Sequence, residues 1–150
     1  MTRTSPDADD VRLLETATEL RVLIAKLRRR LAEQASPGDF TPAQASVLSR
    51  LLADGPATLT VLAKAEGMRP QSMSAIISVL QADGVIVGQP DPADGRQTIL
   101  SLSDSARETV EAARVIKNDW LFRSMKAKLT AAEQRQLANG IELLQRLIAP

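Results

Sequence analysis

Apolar residues recur at helical spacing along most of this chain and depart from it in one stretch. Between Val11 and Glu33 they fall at Leu13, Leu14, Ala17, Leu20, Leu23, Ile24, Leu27 and Leu31, which predicts a long amphipathic helix. Ser5-Pro6 offers this helix an early cap and first position, and Ser36-Pro37-Gly38 ends it. Thr41-Pro42-Ala43-Gln44 starts a second helix: Thr41 caps, Pro42 suits the first turn, and Gln44 completes a capping box. Val47, Leu48, Leu51 and Leu52 form its apolar face, and Asp54-Gly55-Pro56 stops it. Thr58 caps a short helix through Leu59, Leu62 and Ala63 that ends at Gly67. Arg69-Pro70 opens another, with Met73, Ile76, Ile77 and Leu80 as its inward stripe and Gly84 at the left-handed position after its end.

The helical period then gives way. Val85-Ile86-Val87 and Thr98 to Leu102 read as two strands paired across an Asp91–Arg96 loop, with Asp91-Pro92 and Asp94-Gly95 shaping the turn. Ser103 caps a long helix bearing Ala106, Val110, Ala113, Ile116, Trp120, Leu121 and Met125. Thr130 and Glu133 form a second capping box, opening a last helix whose face is Leu137, Ile141, Leu144 and Ile148. The expected fold is therefore mostly α with one small β-hairpin. A single domain spans 1–150, with a middle lobe at 41–102 and helical arms at 5–36 and 103–150.

Composition narrows the chemistry. The chain has 150 residues, enough for one domain with a real core, and a formal net charge of +1 that names no partner. With no Cys and no His it lacks thiol chemistry, the commonest general base and the commonest metal ligand. Glu108 and Glu111 read as solvated carboxylates on a helix, and Gly84 to Gly88 lacks the lysine and helix of a phosphate-binding loop. No catalytic site, metal or cofactor is expected. No apolar signal core opens the chain and no run is long enough to span a membrane, so a cytoplasmic protein is expected.

Two short helices, a Gly-containing turn and a hairpin describe a winged helix-turn-helix. Residues 67 to 107, "GMRPQSMSAIISVLQADGVIVGQPDPADGRQTILSLSDSAR", resemble the MarR family of bacterial transcriptional regulators. The pattern carrying the resemblance is Leu80, Gly84-Val85-Ile86, the wing Asp91-Pro92-Ala93-Asp94-Gly95-Arg96, and Leu102-Ser103 ahead of a long helix. The resemblance covers nearly the whole chain. It implies a homodimer that binds pseudo-palindromic operators in double-stranded DNA, usually as a repressor, and that a small ligand releases. One departure stands out: Gly88 occupies a position where the family often has arginine.

The residues add their own account of such binding. With the stripe facing inward, Gln71, Ser72, Ser74, Ala75 and Ser78 face out, and their short side chains let the helix sit deep in a major groove. Gln71 can bond adenine bidentately, Ser72, Ser74 and Ser78 can reach bases or phosphates, and Arg69 can bond guanine or phosphate. The bland alternative is a solvated, Ser-rich helix face. Arg96 reads either as a salt-bridge partner of Asp94 or as an arginine for a narrow minor groove, with Asp94 orienting it; the resemblance favours the groove. Arg50 can assist with phosphate or be a solvated, dipole-favoured helix end. "KLRRR", Lys26 to Arg30, reads as a solvated face.

Local charge weighs against a strong grip. Residues 57 to 102 set Lys64, Arg69 and Arg96 against Glu66, Asp83, Asp91 and Asp94, a local charge of −1. Modest affinity with about four to six phosphate contacts per dimer follows. The wide apolar stripes of the arms predict a two-fold interface of roughly 2,000 Å². The resemblance implies a ligand between arms and lobe, for which Leu20, Ile24, Val47, Leu51, Val110 and Arg114 are candidates and a small aromatic or amphipathic molecule is the expected class. The alternative function is a winged-helix protein that binds protein, or a scaffold dimer without specific DNA binding.

Overall fold

The caps read from the sequence set most helix boundaries in the computed structural model, which describes residues 7–150. Helix α1 (Ala8–Gln34) begins after Asp7, whose side chain makes no cap bond. The alternative start at Ser5-Pro6 lies outside the described residues. Helix α2 (Pro42–Asp54) opens on the expected capping box: Thr41 Oγ1 accepts from Gln44 N at 3.2 Å, and Gln44 Oε1 accepts from Thr41 N at 2.9 Å. Thr58 caps α3 (Leu59–Ala65), and α4 (Pro70–Ala82) starts on its proline and ends before Gly84, where φ is +70°. Ser103 caps α5 (Asp104–Lys128), and the Thr130–Glu133 box opens α6 (Ala131–Ile148).

The sheet differs from expectation in two ways. A two-residue strand β1 (Ala57–Thr58) joins the hairpin of β2 (Ile86–Pro90) and β3 (Thr98–Leu102), all antiparallel in the order β1-β3-β2. So short a strand carries no alternation of its own; it forms because β3 offers Ile99 and Leu100 as partners for Thr58 and Ala57. Strand β2 also begins at Ile86 rather than Val85 and runs through Gly88 to Pro90, which pairs with Thr98. As an edge strand it tolerates a proline at its end. Val85 instead donates its N–H to Leu80 O at 2.9 Å and accepts from Ser103 N at 2.9 Å, so it ties the end of α4 to the start of α5.

One apolar core lies inside the middle lobe. Val47, Leu48, Leu51, Leu62, Met73, Ile77, Leu80, Ile86, Leu100 and Leu102 are buried there, and Val110 of α5 closes it. Helices α1 and α6 bury no side chain. Leu27, expected to face inward, is exposed, as are Leu13, Leu14 and Leu23 on α1 and Leu137, Ile141, Leu144 and Leu147 on α6. Among the described residues no helix is long and apolar enough to cross a membrane.

Candidate nucleic-acid interface

The stripe on α4 divides the helix as its spacing requires. Met73, Ile77 and Leu80 are buried and Ile76 is half-buried, which turns Gln71, Ser72, Ser74, Ala75 and Ser78 to solvent. Arg69 stands at the N-cap without a side-chain cap bond, so the first turn of α4 keeps free N–H groups on the exposed side. Ser78 Oγ donates to Ser74 O at 2.8 Å, back along its own helix. Its oxygen remains free only to accept, which suits a base amino group rather than a phosphate.

The wing tip is held by its own aspartates. Asp91 Oδ1 accepts from Ala93 N at 2.9 Å and Asp94 Oδ1 accepts from Arg96 N at 3.1 Å, while Asp91 N donates to Gln97 O at 2.9 Å. The expected Asp94–Arg96 salt bridge is therefore replaced by a bond to the Arg96 backbone. Asp94 is consumed by the turn, because a short carboxylate reaches the N–H two residues on more readily than a guanidinium. The Arg96 guanidinium has no ion-pair partner among the described residues.

Wing and helix meet on one cleft of about 400 Å³. Ser74 and Ser78 of α4 line one side, Arg96, Gln97 and Thr98 of the wing line another, and Thr60 closes the end. The structure thus brings Ser74, Ser78 and Arg96 together, while Gln71 and Ser72 in the first turn of α4 and Arg69 at its N-cap lie outside the cleft lining. Apart from Arg96 the polar lining is neutral. Gln81, Gln97 and Thr60 escaped the sequence reading, since uncharged side chains on separate elements leave no local signal. Gly88 lies beneath Thr98: a Cβ there would meet Thr98 Cγ2 at 2.8 Å and Gln81 Nε2 at 3.0 Å.

Arg50 lies apart from this cleft. Its Nε donates to Glu66 Oε1 at 2.6 Å and its Nη1 pairs with Asp54 at 3.3 Å. The hydrogen bond to Glu66 is the main cause that raises its pKa above the ordinary value. Burial pushes the Glu66 carboxyl up, but hydrogen bonds from Arg50 and Ser46 and the charges of Arg50 and Arg28 outweigh this and hold it below the ordinary value. The ligand candidates also separate. Val110 and Arg114 line an apolar cleft of about 180 Å³ between α2 and α5, with Leu52, Lys117 and Leu121. Val47 and Leu51 are 0% and 1% exposed in the core and do not line this cleft. Leu20 and Ile24 sit earlier on α1, away from the cleft. Lys117, one turn after Arg114, was legible from helical spacing and was missed. No cluster of three or more potential metal-ligating side chains occurs among the described residues.

A sequence model of the MarR family matches residues 38–97, from the loop before α2 to the wing loop ahead of β3. An HTH-type transcriptional regulator of Mycobacterium tuberculosis is 33% identical over 132 residues, covering 88% of this chain and 92% of that protein. The crystal structure of a Pseudomonas aeruginosa protein is 34% identical and superposes with a TM-score of 0.69, covering 95% of this chain and 96% of that one. A MarR variant from E. coli, crystallised in complex with operator DNA, shares the fold with a TM-score of 0.71 at 22% identity, covering 96% and 100%.

Proposed function

Because the chain belongs to the MarR family of transcriptional regulators, we propose that it is a ligand-responsive repressor that binds pseudo-palindromic operators as a homodimer. The observation that carries this is the cleft shared by α4 and the wing, on which the free guanidinium of Arg96 and the short polar face of α4 converge. The E. coli relative of the same fold is bound to operator DNA. In this chain α4 enters the major groove by its first turns. Gln71 bonds adenine, Ser72 and Ser74 reach bases or phosphate, Ser78 accepts from a base, and Arg69 takes guanine or phosphate. Asp94 sets the turn that aims Arg96 at the minor groove, where narrow A·T tracts concentrate negative potential.

The unsatisfied stripes of α1 and α6 supply the homodimer, since exposed apolar surface of this extent belongs against a partner. The α2–α5 cleft supplies the ligand response. It is smaller than a drug-sized site and apolar, with Arg114 and Lys117 at its wall, which suits a small aromatic acid. A mobility shift at low salt with duplex DNA from upstream of the chain's own gene tests the function. Wild type shifts it, and Arg96→Ala weakens binding by at least about tenfold, one lost groove contact per subunit. An intact dimer that shifts nothing would contradict DNA binding and leave the protein-binding alternative, which the local charge of −1 keeps open.

A further inference from the structure

Glu66 caps the C-terminal end of α3, three residues before Arg69 and the start of α4. Its two carboxylate oxygens take separate partners on α2, one turn apart. Oε1 accepts from Arg50 Nε at 2.6 Å and Oε2 accepts from Ser46 Oγ at 2.7 Å. Arg50 Nη2 also donates to Ala65 O at 3.4 Å, so one guanidinium grips both the side chain and the backbone of the turn. The positive charge of Arg28 on α1 acts on the same carboxylate. The Glu66 side chain is only 14% exposed, against 34% for Arg50, so the carboxylate is the better shielded partner. Ser49, Leu52 and Ala53 of α2, the first and last on the same helical stripe as Ser46 and Arg50, line the cleft against α5. Helix α2 therefore both touches the long arm helix and holds the turn before α4.

We propose that Glu66 is a positioning residue for DNA binding: it locks the turn ahead of the recognition helix α4 to α2, and through α2 to α5. This rests on the DNA-binding function proposed above. Its consequence is that the positive charge of Arg50 serves posture rather than phosphate. The apolar core holds α3 and α4 in the lobe without Glu66, so its loss changes where α4 points and does not unfold it.

Glu66→Gln in the full chain tests this, because the amide keeps the shape but cannot accept from both Ser46 and Arg50. Hydrogen exchange in the free protein should quicken on the order of tenfold at amides 65–72, with α5 unchanged. Affinity for the duplex from upstream of the chain's own gene should fall about tenfold, while affinity for random duplex of equal length and the salt slope stay as in wild type. Ser46→Ala, which cuts one contact and leaves the ion pair, should move both readouts less and in the same direction. Unchanged exchange overturns the lock. Tighter binding with a slope steeper by about one per subunit overturns it too, because Arg50 would then have been freed onto a phosphate. A wild-type protein that does not distinguish the two duplexes overturns the DNA-binding function and the operator half of this proposal, while exchange still judges the lock.

Discussion

Two arginines at the surface of the lobe show how little of a side chain's role is written in its own position. On sequence grounds Arg96 is favoured for the minor groove, and Arg50 can assist with phosphate or be a solvated helix end. Arg50 is claimed by Glu66, a residue 16 positions away that only tertiary packing brings close. Arg96 is left free because Asp94 satisfies the backbone N–H instead. Gly88 is the third residue of this kind. In the sequence it is the place of an absent arginine; in the structure it is the floor under Thr98 and Gln81. Gly88→Ala should therefore lower stability by about 1 kcal/mol, since Thr98 and Gln81 must move aside, and thermal unfolding reads this directly. A variant as stable as wild type would mean those two exposed side chains yield freely.

At the scale of elements, capping residues were legible because a cap is a local event. Thr41 with Gln44, Thr58, Ser103, and Thr130 with Glu133 each bond within their own first turn, so type and spacing suffice. Thr41→Ala removes the α2 cap and should cost about 1 kcal/mol, or roughly 3 °C in the melting temperature. Strand β1 and the full length of β2 were not legible, since their pairing depends on β3 rather than on their own pattern. The Glu66–Arg50 pair was hidden for the same reason, and it leaves a pH signature. A carboxyl held below its ordinary pKa stabilises the fold above that value and loses the contribution as pH falls through the lowered one. The melting temperature of wild type should thus exceed that of Glu66→Gln near neutral pH and converge on it below about pH 4. A gap that stays constant down to pH 3 would show that the ionised carboxylate contributes nothing.

For the whole molecule, the central lobe buries its own core within one chain, while α1 and α6 leave apolar stripes exposed. The apolar pattern announced the stripes of both arms, but it turned Leu27 inward, and Leu27 is exposed. Sedimentation should give twice the chain mass, and Ile141→Glu with Leu144→Glu on the exposed stripe of α6 should return the chain mass while the lobe stays folded. A doubly substituted chain that still dimerises would put the interface elsewhere. The sparse charge of the lobe also belongs to this scale. Neutral donors release no counterions, so log affinity against log salt should fall with a slope of about −4 to −5, and a slope near −10 would reveal phosphate contacts that the interface described here does not contain. If paired α4 helices and wings read a two-fold site, a hydroxyl-radical footprint of the full chain on DNA from upstream of its own gene will show both halves. Two symmetric protected half-sites about 34 Å apart, with flanking minor-groove protection that disappears in Arg96→Ala, are the predicted result. Protection without two-fold symmetry, or flanks that persist in Arg96→Ala, would contradict it.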